Sequence, residues 1–572
     1  MLLIRASLTN LLTLKRFTSL ALLLALSLNN NANAQPIPAE AQKAAKSVRP
    51  EAIEAHMRYL ADDKLEGRRP GSKGFELAAQ YVENQFKMLG FKPMGQNGGT
   101  ASRTYRQAVP LRKAQVSEAA SALTLVRQTS DGVDEPAQGL TYGKNFFLNP
   151  QFDQATSEVA APVVFVGFGV SAPELGYDDY AGIDVKGKIV ACFNGAPASF
   201  PSAQRAYSGA AKQEVAAARG AVGIITFSLP TDMRARIESN APRNRQAVYR
   251  WTDANGQAQR TFPQLKVIGS MGDSTARTLF AGASKTFDQA RLAATQSQPQ
   301  AFPLNLTVRA KTQTDLNDGL IGENLIGLLP GSDPKLKDEY VVCVSHLDHL
   351  GITRPTKGFP NDSINNGAHD NASGTAINLE AARLFASLPK APRRSILFVA
   401  VTGEEMGLLG SDYFASNPTV PKGSMVANTT LDMPFFFHPL LDIVPYGAEH
   451  STLEGPVKAA ADYLGIQIAK DPIPEQVVFM RSDHFSFVRQ GIPALFIKSG
   501  STTGDSRDGT KLNLDWRATI YHTPQDDMNQ PFDWASAARH VQLQFLVSYL
   551  TAQADERPVW NQGDFFGTKF GK

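Results

Sequence analysis

Acidic and histidine side chains collect at the ends of apolar runs in this sequence. Three such runs, residues 340–345, 395–401 and 424–431, each lead within four residues into side chains that can bind a metal ion or move a proton. In an open α/β sheet, ligands bind beyond the carboxyl ends of the strands. We therefore expect these side chains to converge, together with one acid that precedes a helix and one histidine near the end of the chain. The set is His346, Asp348, Asp370, Glu404, Glu405, Asp432 and His522.

Several carboxylates on one edge of a sheet require a cation, because in a site of low dielectric they repel each other by several kcal/mol. Taken singly, Asp370 could cap its helix, and Glu404 with Glu405 could be a solvated pair. The pattern as a whole favours metal binding. A mixed set of imidazoles and carboxylates suits zinc, and a shared carboxylate suits two metal ions roughly 3.5–4 Å apart.

The elements that must position these residues alternate between strand and helix. Helical spacing of apolar residues covers 373–388 and 533–550, and a fourth strand-like run covers 494–498. An earlier amphipathic helix covers residues 75–89, where Gly90 ends it. This alternation predicts the α/β class, with a mixed, mostly parallel sheet sandwiched by helices.

The middle of the chain has a different texture, because short apolar runs alternate there with turn-rich segments. One helix is obvious, over residues 210–219, and residues 232–264 are predicted to form a long polar loop. We interpret this part as a smaller, β-rich domain inserted into the larger one. The predicted division is a signal peptide over 1–34, the N-terminal part of the catalytic domain over 35–115, the inserted domain over 116–300 and the catalytic domain over 301–572.

The N-terminus has the features of a secretory signal. Arg5, Lys15 and Arg16 precede an apolar stretch, and Ala32-Asn33-Ala34 is a small-residue cleavage site. The whole chain has 572 residues, enough for two or three domains, and its formal charge is +3, from 57 basic and 54 acidic residues. All three excess cations lie in the signal segment. We expect an exported protein, periplasmic or secreted, that binds neither nucleic acid nor membranes stably.

The two cysteines, Cys192 and Cys343, each lie in a separate apolar, strand-like run. We expect both to be buried as small hydrophobic residues without forming a disulfide bond. Two cysteines also exclude a cysteine-rich zinc site.

The candidate residues resemble the zinc-dependent aminopeptidase family M28 in type, order and spacing. The resemblance extends to residues 59–68 and 324–331, which are similar to the N-terminal segment and the entry strand of that family. Residues 177–190 resemble the protease-associated (PA) domain that many members carry. Six segments in the family's order, covering most of the chain after residue 34, make the resemblance specific.

The resemblance implies a role for each residue and two Zn²⁺ ions per chain. His346 and Asp432 would bind one zinc ion, Glu405 and His522 the other, and Asp370 would bridge them. Asp348 would orient His346 from behind. Glu404 would act as the general base. The resemblance also implies a strained, possibly cis, peptide bond between Asp370 and Asn371. Further segments are weaker candidates: Tyr521 and His484 for substrate contact, Phe435, Phe436 and Phe437 for an apolar pocket or the core, and His349 and His369, which match no family ligand.

The resulting hypothesis is an exported aminopeptidase that acts on peptides with a free N-terminus and an uncharged first residue. A glutaminyl cyclase-like enzyme with one zinc ion, a carboxypeptidase on the same scaffold and a non-catalytic binding ectodomain are the alternatives. A serine hydrolase is disfavoured because the sequence has no Gly-x-Ser-x-Gly elbow. The oligomeric state is left open.

Overall fold

Four adjacent parallel strands form the centre of the sheet that carries the candidate residues. Tyr340–His346 pairs with Ser395–Val401 on one side and with Met425–Leu431 on the other. Ala494–Ser499 continues the sheet in parallel beyond Met425–Leu431. The sequence predicted all four strands, and their carboxyl ends meet at one edge.

The computed structural model describes residues 37–96, 103–128, 134–136, 139–229, 244–355 and 360–571. The predicted signal peptide, residues 1–34, lies outside these ranges. Among the described residues, no helix combines the length and the apolar composition needed to cross a bilayer.

Antiparallel strands flank the parallel centre of this sheet. The end of Ala301–Leu329 pairs with Ser395–Val401, and Asp442–Tyr446 pairs with Ala494–Ser499. The sheet is therefore mixed and mostly parallel at its centre, which confirms the predicted fold class.

Helices cover both faces of this sheet. Alternate residues of each strand point to opposite faces, so each face contributes side chains to a core. In Ser395–Val401, for example, Phe398 joins the core on one face and Val399 joins the core on the other. The helices of the first face are Pro50–Leu60, Lys73–Met88, Ser373–Ala386, Glu454–Leu464 and Trp534–Gln553. Those of the second face are Leu409–Ser416, His484–Val488 and Phe565–Phe570.

The strand Ala301–Leu329 connects this sheet to a second one. Its residues 301–313 pair with Thr156–Val166, whereas residues 314–325 pair with Arg106–Val116. The predicted domain boundary at residue 300 coincides with the start of this strand. Residues 301–313 thus belong with the insertion, and not with the catalytic part to which the sequence assigned them.

The second sheet has its own core and lies in the inserted part of the chain. Its parallel strands are Thr156–Val166, Ile189–Phe193, Gly223–Phe227 and Val267–Met271. Antiparallel neighbours are Ala122–Gln128, Asp134–Pro136 and Phe146–Leu148. The two cysteines are buried and unpaired, one in each sheet, as predicted.

The described part of the insertion contains four α-helices, where the sequence analysis recognised one. They are Ser202–Ala210, Lys212–Ala218, Asp273–Phe280 and Phe287–Thr295. The last begins with a capping box, in which Thr286 and Gln289 satisfy each other's backbone N–H groups. The capping box can be recognised in the sequence. The apolar periodicity is difficult to recognise, because these helices are short.

The segment predicted as a long loop contains a strand. Val248–Trp251 pairs with Arg106–Val116, while residues 230–243 lie outside the described ranges. Trp251 Nε1 donates a 2.8 Å hydrogen bond to Asp412 of the helix Leu409–Ser416. This contact attaches the insertion to the helix that follows Glu404 and Glu405. Further strands are Lys92–Pro93, Ser171–Ala172, Tyr177–Asp178, Gly351–Ile352, Ile364–Asn365 and Gln467–Ile468, and further helices are Ala39–Ala45 and Gly509–Thr519.

Candidate metal centre

Three of the parallel strands deliver candidate ligands to the same edge of the sheet. His346 is the last residue of its strand, and Asp432 directly follows Met425–Leu431. Glu404 and Glu405 lie on the loop after Ser395–Val401. The structure thus brings together residues that are up to 86 positions apart in the sequence, on neighbouring strands. Asn428 donates to the carbonyl of Val342 at 3.1 Å and connects the same two strands.

The first group of donors is His346, Asp370 and Asp432, all buried. His346 Nε2 lies 3.3 Å from Asp370 Oδ1 and 3.8 Å from Asp432 Oδ1. Two ligands of one tetrahedral zinc ion, each about 2.1 Å from the metal, are roughly 3.4 Å apart. The spacing of these three atoms therefore fits one zinc ion.

The second group shares Asp370 with the first. His522 Nε2 lies 3.2 Å from Asp370 Oδ2 and 3.0 Å from Glu405 Oε2. The two oxygens of Asp370 thus face two different histidines, each of which has its own acid. This is the arrangement expected of a carboxylate that bridges two metal ions.

The hydrogen-bonding state of these atoms also fits a metal. His346 Nε2, His522 Nε2 and Asp432 Oδ1 are buried, and none forms a hydrogen bond within the described part of the chain. Buried polar atoms without partners are costly, and a bound cation removes that cost. The donor set, imidazole with carboxylate and no thiolate, is one that zinc accepts.

His349, one of the weaker candidates of the sequence analysis, lies beside the second group. Its Nδ1 donates a 2.6 Å hydrogen bond to Glu405 Oε1, and its ring lies edge-on to that of His522. His349, Asp370 and Glu405 also have donor atoms within 4.8 Å of one another. Because one oxygen of Glu405 accepts from His349, the other oxygen faces His522.

The position of Asp370 is fixed by contacts of the residues that follow it in the sequence. The peptide bond between Asp370 and Asn371 is cis, as the resemblance implied. Asn371 Nδ2 donates to the carbonyl of Leu431, and its Oδ1 accepts from the backbone N–H of Gly374. A Cβ on Gly374 would lie 2.2 Å from that oxygen, so this close approach requires glycine.

Asp526, to which the sequence analysis gave no role, supports the same loop. It is fully buried, and its two oxygens accept the backbone N–H groups of His369 and Asp370 at 2.8 and 2.9 Å. Burial raises the pKa of Asp526 to about 6, while these two hydrogen bonds oppose the rise. Asp526 therefore fixes the position of Asp370 through hydrogen bonds to the backbone.

Asp348 connects two loops instead of contacting the ring of His346 with its carboxylate. Its Oδ1 and Oδ2 accept the backbone N–H groups of Glu404 and Glu405 at 3.1 and 3.4 Å. The nearer partner of His346 Nδ1 is the carbonyl of Asp348, at 3.2 Å, while the carboxylate is 4.0 Å away. Asp348 thus orients His346 with its main chain and holds the acidic loop with its side chain.

Glu404 lines a cleft that opens beside Asp370 and Asp432. Burial raises the pKa of Glu404 well above its usual range, and the nearby Glu405 and Asp432 raise it further. A carboxyl group with a raised pKa next to a metal site is suited to accept and return a proton near neutral pH.

Arg68 binds the N-terminal segment to the loops of the site. The residue is 1% exposed, and its guanidinium donates to the carbonyls of Leu60, Leu347, Asn366 and Gly367. Three of these carbonyls lie by the site: Leu347 is next to His346, and Asn366 and Gly367 are in the loop before Asp370. The sequence analysis quoted Arg68 as part of a resembling segment without a role for it.

The weaker candidates fall into two classes. Tyr521 lines the cleft, and its ring stacks on that of His522 with the centroids 3.7 Å apart. His484, expected near the substrate, is fully buried instead, donates from Nε2 to the carbonyl of Phe479 and stacks on Phe496. Burial lowers its pKa to about 3, so it is a neutral core residue.

The aromatic run after Asp432 packs in the core. His369 is buried with its ring 5.5 Å from Phe435 and 4.9 Å from Trp516, and burial lowers its pKa well below the usual range. Phe436 is fully buried as well. This cluster therefore supports the floor under Asp370, and His369 is not placed as a ligand.

Comparison with known protein families identifies the part of the chain that carries this geometry. Residues 324–548, which hold every candidate ligand, match the model of peptidase family M28. This segment, which is less than half of the chain, is similar to the M28 peptidases. The sequence resemblance named this family, and the match does not include the insertion.

Curated relatives match parts of this chain. Over 195 residues the chain is 30% identical to leupeptin-inactivating enzyme 1 of Streptomyces exfoliatus, covering 33% of this chain and 38% of that enzyme. Over 72 residues it is 36% identical to aminopeptidase YwaD of Bacillus subtilis, covering 13% and 15%. The matches span well under half the length of these relatives. Among solved structures, an aminopeptidase from Aneurinibacillus sp. strain AM-1 aligns over 90% of this chain and 97% of its own, with 20% identity and a TM-score of 0.49.

Proposed function

We propose that this protein is a zinc-dependent aminopeptidase that removes the first residue of peptides, using two zinc ions that share Asp370. The observation that carries the proposal is the position of the Asp370 carboxylate, with one oxygen 3.3 Å from His346 and the other 3.2 Å from His522. His346 and Asp432 would hold one ion, and Glu405 and His522 the other.

When bound, zinc would lower the pKa of a coordinated water from 15.7 towards about 7 and polarise the scissile carbonyl. The residues of the chain supply the rest of the chemistry. Glu404 takes a proton from the attacking water and returns it to the departing amine. Glu405 cannot share this role, because its two oxygens face His349 and His522.

The preference for a free N-terminus follows from the same centre. The α-amine of a peptide is a donor for the acids of the cleft, of which Asp370, Glu404 and Asp432 are exposed to it. An acylated amine would lose both its charge and its ability to approach them. The substrates would therefore be peptides with a free amine, cut one residue at a time.

We further propose export by the predicted signal peptide, to the periplasm or beyond the cell, and a PA-type insertion that limits access to the cleft. The hydrogen bond between Trp251 and Asp412 supports the second proposal, because it attaches the insertion next to the acidic loop. If the insertion limits access, long peptides should be cut more slowly than dipeptides and tripeptides. Equal rates for short peptides and for long unstructured ones would contradict this.

The test of the function compares aminoacyl p-nitroanilides with their N-acetylated counterparts, before and after chelation. We expect hydrolysis of the free-amine substrates only, its loss with the chelator and its recovery when zinc is added. Hydrolysis of acetylated substrates or of free C-termini would favour a carboxypeptidase, and cyclisation of N-terminal glutamine would favour a glutaminyl cyclase. The absence of turnover by the zinc-loaded protein would overturn the proposal.

A further inference from the structure

The cleft beside the metal centre is lined by charged groups of both signs. Its volume is about 870 Å³, including its open mouth, and Asp370, Glu404 and Asp432 lie at the metal end. Lys498, Arg481 and Arg517 also line it. Apolar side chains, including Val444 and Phe496, complete the lining.

Lys498 is a buried cation with unused hydrogen-bonding capacity. The residue is 7% exposed, and its Nζ donates to the backbone carbonyls of Asp432 and Met433 at 2.6 and 2.8 Å. An ammonium group has three hydrogens, so one remains beyond these two carbonyls. In the described part of the chain, no carboxylate forms an ion pair with Lys498.

Arg517 is the second such cation, on the helix Gly509–Thr519. Its Nε donates to Asn513 at 3.0 Å, and the residue lines the cleft. No acid within the described ranges forms an ion pair with it. The acids of its own helix and of the cap are engaged elsewhere, since Asp515 pairs with Lys511 and Asp508 accepts the N–H of Lys511.

The position of Arg517 relative to the metal centre is given by two stacked rings. Its guanidinium carbon lies 5.3 Å from the centre of the Tyr521 ring. That ring in turn stacks on His522, a candidate zinc ligand, at 3.7 Å. Arg517 therefore contacts the ring that is stacked on a candidate zinc ligand.

We infer that the cleft binds a carboxylate of the substrate between Lys498 and Arg517. This inference rests on the proposed function and specifies its substrate class. The carboxylate has two sources in a peptide, the side chain of an acidic first residue or the free C-terminus of a dipeptide. Both would bring a negative charge to two cations that form no ion pair within the described ranges, and arginine can bind it through two parallel hydrogen bonds.

The inference replaces the expectation of an uncharged first residue. That expectation depended on the aromatic run after Asp432 as the lining of the pocket. The run packs against His369 and Trp516 in the core instead, and the residues that line the cleft include three cations. Tyr446, which also lines the cleft, donates a hydrogen bond from its hydroxyl to Asp471 at 3.0 Å. Asp471 therefore contacts the tyrosine and does not form an ion pair with Arg517.

The experiment compares isosteric substrate pairs that differ in charge alone. The zinc-loaded protein is assayed with the p-nitroanilides of Glu, Gln, Asp, Asn and Leu, and with the dipeptide Leu-Ala and its C-terminal amide. We expect kcat/KM to be roughly tenfold or more higher for the charged member of at least one type of pair. The Glu/Gln pair reports on the side chain, and the Leu-Ala pair reports on the C-terminus.

Two variants assign the preference to the site. Arg517→Gln should reduce the preference to within about twofold of unity while leaving Leu-p-nitroanilide hydrolysis within about threefold of the wild type. Arg507→Gln is the matched control, because Arg507 is exposed and pairs with Asp505 outside the cleft. The control should keep the wild-type preference, and Arg517→Lys should retain part of it.

Failure of the inference is distinguishable from failure of the proposed function. Equal rates within every pair, with Leu-p-nitroanilide cleaved, would overturn carboxylate binding and leave the aminopeptidase intact. A charge preference that Arg517→Gln leaves unchanged would also overturn it. No cleavage of any substrate by the zinc-loaded protein would overturn both.

Discussion

The carboxylate of Asp526 accepts the backbone N–H of Asp370 at 2.9 Å across 156 positions of sequence. Its other oxygen holds the neighbouring N–H of His369. Asp370 is the residue that both donor groups share, and Asp526 holds its backbone. Asp526 lies four residues after His522, so the same short segment supplies one ligand and supports another.

Substitution of Asp526 should therefore weaken metal binding. In Asp526→Ala, two buried N–H groups lose their acceptors and the Asp370 loop is free to shift. We expect zinc affinity to fall roughly 10- to 100-fold, as is typical when a supporting partner of a ligand is removed. Competition with a chromogenic chelator measures this without reference to turnover. Asp527→Asn is the control, because the Asp527 carboxylate bonds only with Asn529 in the described contacts; an equal loss in both variants would contradict the role of Asp526.

The adjacent acids Glu404 and Glu405 should separate catalysis from metal binding. Glu404→Gln removes the base and should lower turnover by ~10²–10⁴-fold while both metal ions stay bound. Glu405→Gln removes a charged donor from the second group and should lower the metal content. Metal analysis and steady-state kinetics on the two variants, expressed in parallel, give both readouts. Full activity of Glu404→Gln would exclude this residue as the base.

Arg68 should be required for the stability of the domain. Arg68→Met would leave up to four buried carbonyls without their donor, and each such group costs about 1–3 kcal/mol. We expect the free energy of unfolding to fall by about 3 kcal/mol or more, measured as a shift of the urea midpoint. Arg69→Met is the control, since the exposed Arg69 makes only long hydrogen bonds of 3.2 and 3.4 Å in the described structure. Similar midpoints for the two variants would contradict the assignment.

His540 should make the folded state sensitive to acid. It is buried on the helix Trp534–Gln553, and burial lowers its pKa from 6.5 to about 3. Between these pH values the unfolded chain binds a proton that the folded chain does not, so stability falls as the pH drops below 6.5. The contribution of one such histidine is ~1.4 kcal/mol per pH unit.

The variant His540→Gln should remove this part of the pH dependence. Urea unfolding at several pH values from 7.5 to 5 should give a shallower decline for the variant than for the wild type. Above pH 7 the two slopes should agree, because neither state then binds the proton. Parallel curves over the whole range would show that His540 is not neutral in the folded protein.

The ligands of the site could be predicted from the sequence because they lie where apolar strands end. His346 and Asp432 directly terminate or follow parallel strands, and that position is visible in the pattern of residues. The shared edge of the sheet then brings them together whatever the intervening loops do. The same reasoning predicted the class of the fold and its four central strands.

The supporting residues could not be predicted in this way. Arg68 contacts the carbonyl of Leu347 across 279 positions, and Asp526 contacts a backbone N–H across 156. Main-chain partners leave no signature in residue types, so these roles appear only in three dimensions. The orientation of Phe435 and the burial of His484 likewise depend on how the neighbouring elements pack. From the sequence alone, each residue could either line the cleft or pack in the core.

The bridging position of Asp370 is the central claim, and anomalous diffraction at the zinc absorption edge tests it most directly. Crystals of the zinc-loaded protein should show two anomalous peaks, one beside His346 and Asp432 and the other beside Glu405 and His522, with Asp370 between them. A single peak, or two peaks of which neither lies next to Asp370, would contradict the account.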